Sequence, residues 1–254
     1  RAITVKNSKS FLLRSLHTRN PNLLSPGCLN FLDELNKSCN DDYNKCMKLR
    51  SENFSNKKYD FREDTQHIRE GDWKVEIDNK VSRHMKRRHV EITGPGNSKP
   101  MIINAMNSGA DGYMLDMEDS MTPSWNNVVN GHQNISKTVR KTLTAEKYDN
   151  NGNVIKSYKI NDNNLPLFFM RARGLHMIEE NVTNNNVGIP ATIFDIGVHL
   201  YNNGKYLLDN NIGPYIYMPK LESYEDAILI NKIITNSQEM LGLPHGSTKL
   251  TCLI

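Results

Sequence analysis

Leu167-Phe168-Phe169-Met170-Arg171-Ala172-Arg173-Gly174 decides how the rest of the chain is read. A short, unbroken apolar run that ends in charge and glycine is the pattern of a strand covered on both faces, with a turn at its C-terminal end. The layout recurs on either side. Upstream stand Val90-Glu91-Ile92-Thr93 before Gly94-Pro95, and Gly112-Tyr113-Met114-Leu115-Asp116 before Met117-Glu118-Asp119-Ser120. Downstream stand Tyr215-Ile216-Tyr217-Met218 before Pro219-Lys220-Leu221-Glu222-Ser223, and a last run over 249–254. Amphipathic segments lie between them, such as 224–240 with Ala227, Ile228, Ile230, Ile233 and Ile234 on its apolar side. Strands that alternate with helices pair in parallel through right-handed crossovers. Five such units without a Gly-rich phosphate loop favour the early part of a (β/α)₈ barrel; spacing alone leaves a doubly wound sheet open.

Ahead of these units the pattern is helical. Over about 25–61, Leu29, Leu32, Leu35, Tyr43, Met47 and Leu49 recur at near-helical spacing, and Pro26 with Gly27 suits the start of that helix. The stretch 147–164, centred on Asn150-Asn151-Gly152-Asn153, reads as a hairpin or exposed loop before the third strand. Asn184-Asn185-Asn186 and Asn202-Asn203-Gly204 punctuate the next insertion. Arg at the first position and an apolar run at the last lead us to expect a fragment.

Composition sets outer bounds. The 254 residues suffice for one large domain or two small ones, with 37% hydrophobic and 24% charged residues, as in ordinary globular proteins. No run approaches the roughly 18 apolar residues of a membrane span, and Phe11-Leu12-Leu13 is broken at once by Arg14, unlike a signal peptide. The net charge is +4, and only Arg83-His84-Met85-Lys86-Arg87-Arg88-His89 is locally dense. An exposed basic linker is expected there rather than a nucleic-acid patch. Cys28, Cys39, Cys46 and Cys252 form no CxxC pair, so reduced thiols are expected.

In a barrel of this kind functional residues gather at the C-terminal ends of the strands. Those ends supply Thr93-Gly94-Pro95, Asp116-Met117-Glu118-Asp119-Ser120, Arg171-Ala172-Arg173-Gly174 and Pro219-Lys220-Leu221-Glu222-Ser223. Acids, arginines, a lysine and a serine would then face one mouth. Any one of them alone is usually a solvated loop residue; four sets in register on successive strands are harder to dismiss.

At these residues the chain resembles the malate synthases. His89-Val90-Glu91-Ile92-Thr93-Gly94-Pro95 and Met101-Ile102-Ile103-Asn104-Ala105 are similar to the opening of that family's barrel. Leu115-Asp116-Met117-Glu118-Asp119-Ser120, with Pro123, Trp125, Asn126 and Gly131, resembles its acidic segment. Arg171-Ala172-Arg173-Gly174-Leu175-His176 resembles its arginine loop, followed by Phe194-Asp195. Gly213-Pro214-Tyr215-Ile216-Tyr217-Met218-Pro219-Lys220 and Leu243-Pro244-His245-Gly246-Ser247 complete a collinear series. Asp72-Trp73-Lys74 and the helical region before it are similar to the N-terminal clasp of the shorter, A-type enzymes.

The resemblance implies an N-terminal helical clasp over 1–88 and the first five strands of a TIM barrel over 89–254, with insertions around 145–165 and 177–212. It implies condensation of acetyl-CoA with glyoxylate to malate and CoA in the glyoxylate cycle, with Mg²⁺ polarising the glyoxylate aldehyde. Arg171 takes the catalytic role of holding negative charge on the thioester oxygen, which suits an always-charged planar guanidinium. Ser120 takes the acetyl-CoA contact. Asp116, Glu118, Asp119 and Lys220 would line the mouth and orient waters or Arg171; for Lys220, a salt bridge to one of those acids is the equal alternative. Arg173 is expected on the opposite side and structural, and His176 is expected to be a hydrogen-bonded structural histidine.

The family's metal-ligating glutamate follows directly on the strand similar to Thr251-Cys252-Leu253-Ile254, so the Mg²⁺ ligands and the catalytic base are expected beyond residue 254 and the chain alone inactive. Small-molecule substrates only are expected, without nucleic acid or membrane, in a peroxisome or glyoxysome or in the cytoplasm. A citrate-lyase-β-like acyl-CoA lyase shares the acidic segment, the arginine loop and the Pro-Lys-x-Glu-Ser strand end. Thr93-Gly94-Pro95, the clasp and the long insertion after His176 stand against it. A non-catalytic truncated product is the remaining alternative.

Overall fold

The computed structural model of the chain describes residues 12–13, 23–53, 61–74, 88–184 and 187–253. In chain order the elements are β1 (Leu12–Leu13), α1 (Pro26–Asn53), a 3₁₀ turn (Glu63–Thr65) leading into α2 (Gln66–Arg69), β2 (Glu91–Pro95), α3 (Lys99–Met106) and β3 (Gly112–Asp116). Then come α4 (Trp125–Val139), the hairpin strands β4 (Thr144–Tyr148) and β5 (Val154–Lys159), β6 (Leu167–Arg171), β7 (Ile178–Asn184) and β8 (Val187–Pro190). The chain continues through α5 (Ala191–His199), a π turn (Leu200–Gly204), α6 (Lys205–Asp209), β9 (Tyr215–Met218), α7 (Tyr224–Leu241) and β10 (Lys249–Cys252).

Five strands form one parallel sheet in the order β10-β9-β6-β3-β2. Successive side chains point to opposite faces, and the sheet's apolar residues divide accordingly. Tyr113, Leu115, Phe168, Met170, Ile216 and Met218 join the core beneath the helices. Met114, Leu167, Phe169, Tyr215 and Tyr217 form a separate cluster on the other face. A parallel sheet filled with side chains on one face and covered by helices on the other is barrel architecture. Because both faces are covered, β3, β6 and β9 are buried almost throughout and read as continuous apolar runs.

The helix α1 begins where Ser25 Oγ accepts the Cys28 N–H at 3.2 Å, with Pro26 at the first helical position. Its buried stripe is Cys28, Leu32, Leu35, Cys39, Tyr43 and Cys46, at steps of three and four. Leu29, Met47 and Leu49, expected on this face, are only partly buried; three thiols occupy the central line as small apolar groups. The stripe packs against α5 and α7. At Gly197 a Cβ would lie 2.5 Å from a Leu32 methyl, so the two helix backbones approach as closely as they do only because that residue is glycine.

On α7 the buried line is Asp226, Leu229, Ile230, Ile233, Ile234, Ser237 and Gln238. Ala227 and Ile228, expected on the apolar side, are exposed. The helical period that places Ile230, Ile233 and Ile234 inward carries residues 227 and 228 around to solvent. The Asn-rich stretch is the turn and second strand of the antiparallel hairpin β4–β5. In the turn the Asp149 carboxylate accepts the N–H groups of Asn151 and Asn153, and Gly152 takes φ +83°. A second hairpin, β7–β8, is joined by β1 in a three-stranded sheet. Residues 83–87 of the basic run lie outside the described residues; Arg88 lies 5.2 Å over the Phe169 ring.

Candidate active site

The last residues of β3 and β6, Asp116 and Arg171, are register partners on the face that carries Met114 and Phe169. Their position at the C-terminal ends of strands, one step above an apolar layer, brings charge to the mouth of the barrel. The turn that follows Asp116 is wrapped around its own carboxylate. Oδ1 accepts the Glu118 N–H at 2.8 Å, and Oδ2 accepts the Ser120 N–H at 3.0 Å and the Ser120 hydroxyl at 2.5 Å. Short polar side chains that bond backbone two to four residues ahead fold such turns locally. The wrap turns Glu118 inward, leaves Asp119 and Ser120 exposed, and sends Met117 into the helix core. There Met117 fills space that a Cβ on Gly131 would occupy, with its Sδ 2.5 Å away, which accounts for that glycine.

Arg171 closes the ring. Its Nη2 donates to Glu118 Oε2 at 2.5 Å and also to the Asp119 carboxylate, while Nη1 lies 3.7 Å from Asp116 Oδ2. Lys220, from the turn after β9, sets its ammonium 2.9 Å from Asp119 Oδ1 and 3.1 Å from Glu118 Oε1. All the residues singled out for the mouth therefore meet: Asp116, Glu118, Asp119, Ser120, Arg171 and Lys220 form one network of three carboxylates and two cations. Hydrogen bonding to Asp119, then to Glu118, holds the Lys220 ammonium above its ordinary pKa. The Lys220 hydrogen bond, with Arg171, holds the Asp119 carboxyl below the usual carboxylate range. Arg171 Nε is buried and has no hydrogen-bond acceptor among the described residues. Glu118 Oε1, in ion-pair reach of Lys220, is the ring's other buried atom without a hydrogen bond among the described residues, and a guanidinium edge left unpaired in this way is available to an anion.

Arg173 lies elsewhere, though not for the reason expected. Residues two apart on a continuing strand share a face, so a longer β6 would have carried Arg173 into the mouth. The strand ends at Arg171, and the chain turns the second arginine beneath α5, where it is 1% exposed. Asp195 Oδ2 accepts both the Arg173 N–H (2.9 Å) and Nε (3.0 Å), and Oδ1 accepts Nη2 at 2.9 Å. Arg173 Nη1 donates to Glu179 Oε2 at 2.9 Å, His132 Nε2 lies 3.0 Å from Asp195 Oδ1, and the Thr192 hydroxyl donates to the Arg173 carbonyl at 2.6 Å. Burial raises the Asp195 pKa, but Arg173 and His132 outweigh it and hold the carboxylate well below its ordinary value. Asp195 had been placed only as part of an insertion. The available signal was an acid in the middle of Ala191-Thr192-Ile193-Phe194-Asp195-Ile196-Gly197, an otherwise apolar helix.

His176 departs from expectation. It is exposed and makes no hydrogen bond among the described residues; its ring lies over Gly174, 2.7 Å from where a Cβ would stand. Gly174 thus lets the arginine loop turn against the imidazole. The described residues contain no group of three His, Cys, Asp or Glu able to hold a metal ion.

With this geometry in hand, the comparisons with known proteins are specific. The family model for the malate synthase TIM barrel domain matches residues 167–254. The chain is similar to a malate synthase of Myxococcus xanthus (39% identical over 196 residues, 76% of this chain and 34% of that protein). It is similar to malate synthase A of Escherichia coli (35% over 195 residues, 77% and 35%) and to a glyoxysomal malate synthase of Candida tropicalis (39% over 170 residues, 66% and 30%). The chain spans about a third of the length of these relatives. A partial barrel whose strand ends carry one ring of acids and cations, matched along most of its length by these proteins, belongs to the malate synthase family.

Proposed function

We propose that the chain supplies part of the substrate mouth of a malate synthase, which joins acetyl-CoA to glyoxylate and releases malate and CoA. The observation that supports this best is the buried, unpaired Nε of Arg171, whose Nη atoms are held by Asp116, Glu118 and Asp119. In the reaction a base takes a proton from the acetyl methyl group, and the electron pair moves onto the thioester oxygen. The enolate carbon then forms a C–C bond to the glyoxylate aldehyde carbon, whose oxygen takes up a proton. Water finally cleaves the thioester, giving malate and the free thiol. Arg171 supplies fixed positive charge where the enolate oxygen develops, and its neighbouring carboxylates hold the guanidinium in place before the reaction begins. Ser120, exposed at the rim, is read as the acetyl-CoA contact, its hydroxyl free to exchange Asp116 for the ligand.

Mg²⁺, which the family resemblance implies as the Lewis acid, does not fit the carboxylates described. Glu118 and Asp119 pair with Arg171 and Lys220, Asp116 already accepts three hydrogen bonds from its own turn, and the described residues hold no metal-binding group of three. No step is assigned to the ion through them. We read residues 1–88 as a clasp and 89–254 as barrel, with insertions around 145–165 and 177–212. The seating of α1 on α5 and α7 supports that division. For location, glyoxysome or peroxisome and cytoplasm both suit the reading: the Candida tropicalis relative is named glyoxysomal, and no helix among the described residues is long and apolar enough to cross a membrane. The test is glyoxylate-dependent release of CoA thiol by the native protein with acetyl-CoA and magnesium. Folded protein that releases none refutes the proposal.

A further inference from the structure

Lys220 has a left-handed backbone, φ +52°, although it carries a long side chain. Such a conformation persists in a non-glycine residue only where its surroundings over-determine it. The surroundings are specific. The Lys220 carbonyl accepts Arg50 Nη2 at 2.8 Å, the Leu221 N–H donates to the Leu253 carbonyl at 3.1 Å, and the Glu222 N–H donates to Asp226 Oδ2 at 2.7 Å. Arg50 comes from the last turn of α1, far away in sequence. It also donates from Nε to Asp226 Oδ1 (3.0 Å), from Nη2 to Asp226 Oδ2 (2.7 Å), and from Nη1 to Glu222 Oε1 (3.3 Å). Asp226 is fully buried and takes a further hydrogen bond from Cys46 on the same helix. One planar guanidinium thus ties three points of the β9–α7 turn to the N-terminal helix, which a lysine could not do.

We propose that Arg50 is a positioning residue: it holds the left-handed turn that carries the Lys220 ammonium to Glu118 and Asp119, and through them sets how tightly Arg171 is drawn to its carboxylates. Three carboxylates face two cations in the ring. When Lys220 withdraws, all three fall to Arg171, whose guanidinium is then held back from the developing enolate oxygen. The inference rests on the reading of this ring as the substrate site, so its test has an arm that needs no activity.

The native protein and its Arg50→Met, Arg50→Lys and Lys220→Met variants are reductively methylated with ¹³C, and the Lys220 resonance is assigned by its loss in Lys220→Met. In both Arg50 variants the Lys220 resonance should move to the position and pKa of a free lysine; an unmoved resonance overturns the proposal. Arg50→Lys, which keeps a positive charge beside Asp226, carries the test if Arg50→Met does not fold. In the kinetic arm, kcat/KM for glyoxylate should fall about tenfold in Arg50→Lys and in Lys220→Met, the scale of one lost positioning contact. The double variant should be no worse than Lys220→Met alone, since residues that act through one another are not additive. A multiplicative loss, about a hundredfold, makes Arg50 an independent structural residue and overturns the proposal. Absence of glyoxylate-dependent turnover in the unsubstituted protein refutes the enzymatic reading, and the resonance alone then decides the role of Arg50.

Discussion

Asp195→Asn changes one oxygen of a carboxylate to an amide nitrogen and almost nothing in size, so its effect can be worked from the hydrogen bonds. Oδ2 faces two donors, Arg173 N and Nε. Oδ1 faces Arg173 Nη2 and His132 Nε2, the latter a donor because an ionised carboxylate only accepts. Whichever way the amide is flipped, its NH₂ group confronts two donors. At least two hydrogen bonds are lost, and Arg173, 1% exposed, keeps Glu179 as its one carboxylate partner. Breaking a buried ion pair from one side costs about 3–5 kcal/mol. The assay is urea unfolding followed by the fluorescence of Trp125, whose ring lies 5.9 Å from that of Phe194, the neighbour of Asp195. The pH dependence follows from the depressed pKa. Asp195 contributes its full stability above the unfolded carboxyl pKa of about 4 and loses it as pH falls through the lower folded value. The gap between the two proteins should therefore hold from pH 7 to about 4 and narrow only below that. A variant within about 1 kcal/mol of the unsubstituted protein at pH 7 refutes the account of the Arg173 cluster.

Arg171→Lys should lower kcat by roughly 10²–10³ while the far-ultraviolet spectrum is unchanged, because the planar fork at the developing oxyanion is lost; steady-state thiol release reads it. Ser120→Ala should raise KM for acetyl-CoA with little change in kcat, and an equal loss in kcat would remove Ser120 from the coenzyme contact. Burial first, then the charges of His132 and Arg140, lowers the His199 pKa to about 3. The unfolded chain, with its ordinary histidine, binds that proton sooner. Stability should fall as pH drops from about 6.5 toward 3, by up to about 1.4 kcal/mol per pH unit for this one group, and unfolding of His199→Gln should show a shallower slope over that window.

Much of the fold was legible because a strand covered on both faces leaves a continuous apolar run, as β3, β6 and β9 did. The mouth was legible for a related reason. β3 and β6 end abruptly in charge, β9 runs into Pro219-Lys220, and register then brings Asp116, Arg171 and the turn carrying Lys220 together without further information. Side-chain destinations beyond a strand end were not legible in the same way. Whether Arg173 shares the mouth with Arg171 depends on where β6 stops, which a two-residue period cannot say. Ile228 was misplaced because an isoleucine-rich helix offers more apolar residues than one face can bury, and Asp226, one of three polar residues on that face with Ser237 and Gln238, hides among charges. The Arg50 tie joins residues about 170 positions apart, and no local pattern announces it.

The thiols of α1 have a consequence outside packing. Peroxide and disulfide reagents attack the thiolate, and its population is set by pKa and access. Burial pushes Cys28 and Cys46 up to about 12 and raises Cys39 as well, so at neutral pH the helix presents almost no nucleophilic sulfur. Cys252 is the exposed cysteine of the four. Under oxidant the seam between α1 and the barrel should therefore stay chemically silent until it opens. Labelling of Cys28, Cys39 and Cys46 then becomes a clock for the parting of the N-terminal helix from the barrel it rests on.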